Sequence, residues 1–585
     1  MGKVFTSCVS SARLSYSIIS TAFVFLLIHD APTNSLGLEY TPPSDKSENS
    51  SSSPTNISLH EGIEFSFEPY RSWGQGIDLE NPLLVAYPRS SEEIVELVNW
   101  ARKNGRNVRP RGYKHSYPPL TITKDTDPAK VVLVDLTKYL TNLEMTSIPP
   151  EDIVTNETIR AVRAETGASW QDLVTHLEKN NAGIAHSIII GDASVGGVLA
   201  IGAHGAAVPA KGETLKPGFS FGSLSNLIAA FKAVVFDPET KKYELKSFSR
   251  SDPDSNVFLA HVGRAFLTEV TLIVGENYNL RCKSIVDIPA EELFADPDTN
   301  PNATRTFVSF LDETGRADVQ WYQFTKNPWL KVWSIEPTKP SSCFEVGGPY
   351  NYQFPVNIND PTKTVPELGE IAYNNVVAGL ASRNASDVWG PSKNILLYSN
   401  GSSSPITYGG TVVLTSRDKI QKVLSMVITF FTSLNEEYAQ KSEYPIDYYI
   451  KFRVTGLDFA NETLIKDATQ TILSPLSPPQ DYPHFNVAFW MNTFTHRNNS
   501  LGSQFMKRFE EFYYDTFNGE IGLARPEWSK SWAYTDEGPF TNTKMLKEII
   551  PSRFGSDWEW AKSILNKYDP ERVFSNSFLE DSLQL

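Results

Sequence analysis

The chain has 585 residues, too many for a single hydrophobic core, and so predicts two or three domains. Its apolar (40%) and charged (21%) fractions are those of a globular protein. A net charge of −15 argues against a nucleic-acid binder, because phosphate recognition needs a basic field, and the three cysteines show no zinc spacing, so no metal is expected.

At the N-terminus, Lys3 and Arg13 precede an apolar run, residues 18–28, with the length of a signal-peptide core and short for a membrane span. Residues 1–35 therefore read as a signal peptide, or alternatively as an uncleaved signal anchor, and predict a secreted protein. Eight Asn-x-Ser/Thr sequons, at Asn49, Asn56, Asn156, Asn302, Asn384, Asn400, Asn461 and Asn498, agree with a glycosylated chain. In that compartment Cys282 and Cys343 either pair or remain two buried thiols. The Ser-rich, Pro-flanked stretch within residues 36–60 reads as a flexible linker.

Order is expected from about residue 61. Residues 82–88 read as a strand, and Ser90 with Glu93 forms a capping box for a helix. Ile94, Leu97, Val98 and Ala101 face one side of that helix, and Gly105 ends it. Residues 109–123, RPRGYKHSYPPLTIT, then crowd Arg109, Arg111, Lys114 and His115 around Gly112 before Pro118 and Pro119 stiffen the exit. Successive N–H groups in such a turn form an anion nest, so a diphosphate is the natural guest; a solvated basic loop is the alternative. Residues 131–136 and 159–167 are strands, and Ser169 caps a helix closed by Asn181 and Gly183. No strand leads into G-x-G-x-x-G, which disfavours a Rossmann domain.

Glycines 191, 196, 197, 202 and 205 follow in a segment suited to close backbone approach rather than to core packing. A strand-rich block with a hairpin near residues 237–242 completes a first domain, 61–285. Aromatics and longer strands, such as 317–325 and 406–415, mark a second domain, 286–545. Residues 546–585 are expected to return to the first domain through a helix capped by Ser556 with Glu559, with an apolar stripe of Trp560, Ile564 and Leu565.

RPRGYKHSYPPL, SVGGVLAIGAHG, FGSLSNLI and the closing YDPERVFSNSFL resemble, in order, the FAD-binding fold of the vanillyl-alcohol-oxidase family. TGRADVQWYQFTKNPWLKVWSIEPTKP, FRVTGLD and RPEWSKSWAYT resemble the substrate domain of the cholesterol oxidases with covalently bound FAD. The resemblance implies an α+β chain, with a two-subdomain FAD-binding domain and a mixed-sheet substrate-binding domain with covering helices. It implies FAD held by Arg109, Arg111, Gly112, Tyr113, Lys114, His115 and Ser116, by Ser194, Gly196, Gly197 and His204, and by Asn576. His115 stands where several branches bond the flavin covalently; a histidine that only meets phosphate is the alternative, and His204 is either a cofactor neighbour or a backbone cap.

For the reacting centre the resemblance implies Arg453, Asp318 and Asn492, with Lys530 near the ring. Lys451 departs from the family, which has a glutamate two residues before the arginine. Two like charges cannot pair, so Lys451 and Arg453 are each expected to need another anion, the reduced flavin being the available one. Asp318 is either a shortened family carboxylate or an outward strand residue.

The implied activity is an alcohol oxidase that passes hydride from a small apolar secondary alcohol, a sterol 3β-hydroxyl foremost, to flavin N5, with O2 reduced to peroxide. Extraction of a sterol would bring transient membrane contact. A flavin oxidase acting on a sugar, lactone or other alcohol is the alternative that Lys451 favours, and a flavin-binding protein with little turnover is the third reading.

Overall fold

The computed structural model describes residues 62–349, 363–397, 406–496 and 499–585. The expected signal run and linker, and Asn49, Asn56, Asn400 and Asn498, lie outside the described residues. Among the described residues no helix is long and apolar enough to cross a membrane.

Strands β1 (Glu64–Arg71), β2 (Asp78–Tyr87), β3 (Asn107–Arg111) and β4 (Val131–Asp135) form a four-stranded sheet in the order β1-β2-β4-β3. The run VVLVD in β4 is buried at every position, which suits a β-branched strand lying between two parallel neighbours. The helix Ser91–Lys103 begins as its sequence dictates: Ser90 accepts from the Glu93 N–H at 3.2 Å. The reciprocal bond slips by one residue, because Glu93 accepts from the Arg89 N–H.

Next come β5 (Leu143–Ile148), β6 (Ile159–Glu165), β7 (Ala182–Gly183), β8 (Ile228–Asp237), β9 (Lys242–Ser249), β10 (Phe266–Ile273) and β11 (Gly275–Glu276). Five of them form an antiparallel sheet, β5-β6-β10-β8-β9, while β7 pairs with β11. The glycine-dense segment holds a short helix, Val195–Ala200. Ser194 caps it by accepting from the Gly197 N–H.

The third sheet has nine strands: β12 (Asn279–Ile285), β13 (Ala317–Tyr322), β14 (Trp329–Ile335), β15 (Phe344–Glu345), β16 (Asp387–Pro391), β17 (Ile406–Thr415), β18 (Tyr449–Gly456), β19 (Val487–His496) and β20 (Leu523–Pro526). Their order is β15-β16-β12-β14-β13-β18-β19-β17-β20. This sheet takes in Asn279–Ile285, ahead of the boundary expected at 286. Strand β13 stops at Tyr322, short of the expected 325, because Phe324 turns to a left-handed φ of 64°.

Side chains alternate across a strand, so each central strand serves two surfaces. Val319, Phe452, Val454, Phe489 and Met491 pack into the core with the helices Phe307–Thr314 and Ile420–Ala439. Their alternates, Asp318, Lys451, Arg453, Trp490 and Asn492, line a cavity on the opposite face.

Of the two alternatives for Cys282 and Cys343 the structure shows the second: both are free and buried, with Cys343 Sγ directed at Asp387 Oδ1 (3.2 Å). In the last long helix, Ser556–Tyr568, Gly555 is the cap and Ser556 is already helical. Its buried stripe is Trp558, Ala561, Ile564 and Leu565, while Trp560 is exposed.

The chain end closes on the first domain through Asp569. Its carboxylate accepts from Arg264 Nη1 (2.7 Å), the Tyr243 hydroxyl and the backbone N–H groups of Val573 (2.8 Å) and Phe574 (3.0 Å). Arg264 is fully buried, so removing its partner leaves a bare charge in the core. Asp569→Ala should cost ~3–5 kcal/mol, seen as a large fall in the denaturation midpoint; a change within experimental error would show that the tail does not depend on this pair.

Candidate active site

The basic turn sits at the end of β3 and opens onto a cavity of about 380 Å³. Its charges are not all aimed there. Arg109 donates to the carbonyls of Leu120, Thr121 and Phe574. Arg111 is paired with Asp135 (2.9 Å) and Glu68 (2.7 Å). The two arginines thus brace the turn, yet both also line the cavity together with Gly112 to Ser116, and Arg111 Nη1 is buried without a hydrogen-bond partner. Lys114 takes a left-handed φ of 64° and lies over the Tyr70 ring.

Gly112 faces Ser194 across the cavity floor. A Cβ on Gly112 would stand 2.2 Å from Ser194 Oγ, so only glycine lets the turn and the Ser194 cap come together. His115 lies beside Trp73, with ring centroids 5.3 Å apart. Neither of its ring nitrogens has a hydrogen-bond partner, although both are buried. Nε2 is 3.4 Å from Asp192 Oδ1, itself without one. Asn576 is not among the cavity residues: it donates to the Pro119 and Leu120 carbonyls, holding the exit of the turn from behind.

The opposite wall is the nine-stranded sheet. Register puts Asp318 across from Arg453, and Lys451 across from Asn492. Asp318 is buried between two lysines, at 3.1 Å from Lys331 Nζ and 3.0 Å from Lys451 Nζ. It is therefore not an outward strand residue. Burial works to raise its carboxyl, but the two lysines and Arg453 outweigh that and hold it below the ordinary value.

The carboxylate that sequence reasoning missed is Glu527. It follows β20 on a loop that pairs with the edge of β17: the Glu527 N–H donates to the Gly410 carbonyl, and the Ser531 N–H to that of Tyr408. Gly410 makes room, since a Cβ there would sit 2.6 Å from Lys530 Cγ and 2.9 Å from Glu527 Oε2. Glu527 Oε2 accepts from Asn492 Nδ2 (2.6 Å), and Oε1 from Arg453 Nη2 (3.4 Å). Lys530 Nζ is 4.0 Å away. Both cations of β18 thus have protein anions, Asp318 for Lys451 and Glu527 for Arg453; the expectation that each would wait for a reduced flavin is corrected. Glu527 sat within the quoted RPEWSKSW, but nothing in its local pattern distinguished it from a loop acid.

His204 completes this cluster. It stacks on Trp490 at 3.5 Å, and Nδ1 is 3.0 Å from the Gly205 carbonyl, so Nδ1 carries the proton and Nε2 a lone pair. Nε2 faces Glu527 Oε1 at 3.8 Å. Burial pushes the imidazole down to about 4, so it is neutral at ordinary pH. Burial alone would raise the Glu527 carboxyl, but the Arg453 and Lys530 cations hold it far below its ordinary value. Two acceptors, Nε2 and Oε1, therefore face the same space. The turn and the sheet wall meet at Tyr117, whose N–H donates to the Ser529 carbonyl and whose ring packs on that of Tyr408, with centroids 5.1 Å apart.

A nucleotide cradle facing a charged sheet wall defines a flavoprotein of the two-subdomain type, and comparison with known proteins agrees. Residues 82–216 match the FAD binding domain model, and residues 279–584 the model of the cholesterol oxidase substrate-binding domain. A solvent-stable cholesterol oxidase is 36% identical, covering 91% of this chain and 100% of its own, with a TM-score of 0.86. The cholesterol oxidase from B. sterolicum is 34% identical, covering 91% and 99%, with a TM-score of 0.85.

Among curated relatives, probable L-gulonolactone oxidase 4 of Arabidopsis thaliana is 26% identical over 132 residues, 22% of this chain. D-arabinono-1,4-lactone oxidase of Candida albicans is 30% identical over 140 residues, 23% of this chain. The match spans only 21% and 24% of those two proteins' length. This chain belongs to the cholesterol oxidase family of FAD-dependent oxidoreductases.

The residues present fit FAD. The Gly112–Ser194 cradle leaves backbone open for a diphosphate, and the orphaned His115 imidazole supplies a buried polar atom waiting for a partner. Gly112→Ala should therefore strip flavin from the purified protein, read as loss of yellow colour per polypeptide; full flavin content in this variant would move the diphosphate elsewhere.

Proposed function

We propose that this chain is an FAD-dependent oxidase of an apolar secondary alcohol, with a sterol 3β-hydroxyl as the leading substrate class and O2 as the final acceptor. The observation that carries the reading is the buried His204–Glu527–Arg453–Asn492 cluster on the cavity wall opposite the nucleotide cradle. FAD supplies the hydride acceptor when bound. The chain's residues handle the hydroxyl. A neutral His204 Nε2 accepts the hydroxyl proton, and the Glu527 carboxylate stabilises the resulting imidazolium. The Arg453 guanidinium offsets negative charge developing on the alcohol oxygen. Trp333, Tyr408, Tyr449 and Phe494 give the cavity an apolar wall that suits a ring system and excludes water.

Oxidation of a lactone or sugar is the second reading. It is favoured by the lactone oxidases that resemble the FAD-binding half and by the cation at position 451. A flavin protein with little turnover is the third. Rapid mixing of the anaerobic enzyme with cholesterol, L-gulono-1,4-lactone or buffer separates them by which one bleaches the flavin. Arg453→Ala should slow that bleaching by ~10²–10³, and an unchanged rate would remove Arg453 from the reacting centre.

Covalent attachment through His115 and secretion belong to the same proposal. A bond from Nδ1 to the flavin leaves Nε2 facing Asp192, which matches the orphaned pair. The described sequon residues Asn156, Asn302, Asn384 and Asn461 are all exposed, as glycan carriers must be. Intact mass of the denatured protein should show the FAD increment, absent in His115→Ala, and a further increment removable by an N-glycosidase. A bare polypeptide mass beginning at Met1 would defeat both.

A further inference from the structure

We propose that His186, a residue outside the cavity, is a positioning residue that holds the proton of His204 on Nδ1 through Gly205 and so keeps Nε2 free to act as a base. The proposal rests on the alcohol-oxidising reading above and assigns what prepares its base.

The two histidines meet on one glycine. His186 is 2% exposed and does not line the cavity, whereas His204 and Gly205 do. The Gly205 N–H donates to His186 Nδ1 at 3.1 Å, and the Gly205 carbonyl accepts from His204 Nδ1 at 3.0 Å. A backbone N–H can only donate and a carbonyl only accept, so these partners fix both rings. His186 must present a lone pair at Nδ1 and carry its proton on Nε2. Burial, and then the neighbouring His204, push this imidazole down to about 3, which keeps it neutral. Its Nε2 is bonded to the backbone of Gly222, at the carbonyl, since the Gly222 N–H donates to Ser220 Oγ at 3.2 Å. That loop is held in turn from the second domain. Ser223 Oγ donates to Asp458 Oδ2 at 3.0 Å, and Ser220 Oγ to Glu462 Oε2 at 2.6 Å. Order thus runs through Gly222, His186 and Gly205 to His204.

The His204 ring needs such a hold because its proton has two possible sites. On Nδ1 it serves the neutral Gly205 carbonyl; on Nε2 it would serve the Glu527 carboxylate, whose Oε1 lies 3.8 Å away. Bonds to an ionised acceptor are the stronger, so a loose ring would shift its proton to Nε2, close on Glu527 and lose the base. The Trp490 stack holds the plane of the ring but does not choose between its nitrogens. The direction of the Gly205 carbonyl makes that choice. A Cβ on Gly205 would stand 2.7 Å from the Ser187 carbonyl oxygen and 2.9 Å from His186 Nδ1, so the position is confined to glycine, whose backbone is the freest. The His186 bond supplies the constraint that the absent side chain does not.

The test reads the tautomer directly, by nitrogen NMR of the oxidised, flavin-loaded full chain with its histidine rings labelled. The His204 signals are those lost in His204→Gln. Two polar substitutions place an acceptor differently: His186→Asn keeps an oxygen close to where Nδ1 stands, and His186→Gln moves it toward the place of Nε2. The proton should sit on Nδ1 of His204 in the wild type and in His186→Asn, and on Nε2 in His186→Gln. Flavin bleaching by saturating cholesterol should slow ~10²-fold in His186→Gln and stay within about fivefold in His186→Asn, at unchanged flavin content. A wild-type proton on Nε2 overturns the proposal without any variant. So does a proton on Nε2 in His186→Asn, even where His186→Gln fails to fold, and so does a His186→Gln that keeps both tautomer and rate. A tautomer that follows His186 while no alcohol bleaches the wild-type flavin sinks alcohol oxidation alone; bleaching with a tautomer indifferent to His186 sinks only the role of His186.

Discussion

A charge taken out of water must be met by another charge or by donors, and the active-site wall is arranged around that demand at Glu527. Its two oxygens gather Asn492 and Arg453 from the sheet and bring Lys530 close from the loop. His204 arrives from the FAD-binding half and stays neutral because it is buried beside these cations. The loop that bears Glu527 can lie flat on the sheet only because Gly410 has no side chain. Remove that carboxylate, and a guanidinium and an ammonium would face each other in an apolar cavity.

The second carboxylate, Asp318, shows how the same rule is met with different residues. Family resemblance places an acid two residues before the arginine, and this chain has Lys451 there. The exchange does not leave two cations side by side without relief. Asp318 on the neighbouring strand takes Lys451, and Lys331 from the strand beyond shares it. The carboxylate partner of Arg453, which the family places on the same strand, is supplied here by Glu527 from a loop.

The nucleotide side obeys a different economy. Arg109 and Arg111, which give the basic turn its character, direct donors to carbonyls and to Glu68 and Asp135, leaving Arg111 Nη1 buried without a partner. They make the turn rigid. Close approach to a ligand is left to backbone at Gly112 and to the groups next to it. The last residues of the chain help, since Phe574 accepts from Arg109 and Asn576 holds the carbonyls of Pro119 and Leu120. The resemblance assigns Asn576 to the cofactor; its side chain donates to the carbonyls at the exit of the turn.

Local chemistry fixed much of this protein in advance. Caps at Ser90 and Ser169, the buried run VVLVD, the hairpin around residues 237–242 and the glycine at position 112 each follow from short-range sterics and hydrogen bonding, and each was legible. So was the alternation that sends Lys451 and Arg453 to one face, because a strand repeats every two residues. What remained hidden was which strands are neighbours. Asp318 meets Lys331, Lys451 and Arg453 only through the register of β13 with β14 and β18. Glu527 meets Arg453, 74 residues away in the chain, through a loop docked on β17. The same distinction explains why spacing left the pairing of Cys282 and Cys343 open and put the outward Trp560 on the buried stripe. Sequence alone determined the elements, the nucleotide cradle and the inventory of charged groups; tertiary structure alone decided which charge neutralises which, because ion pairing depends on distance in space and the chain codes that distance only through its folding.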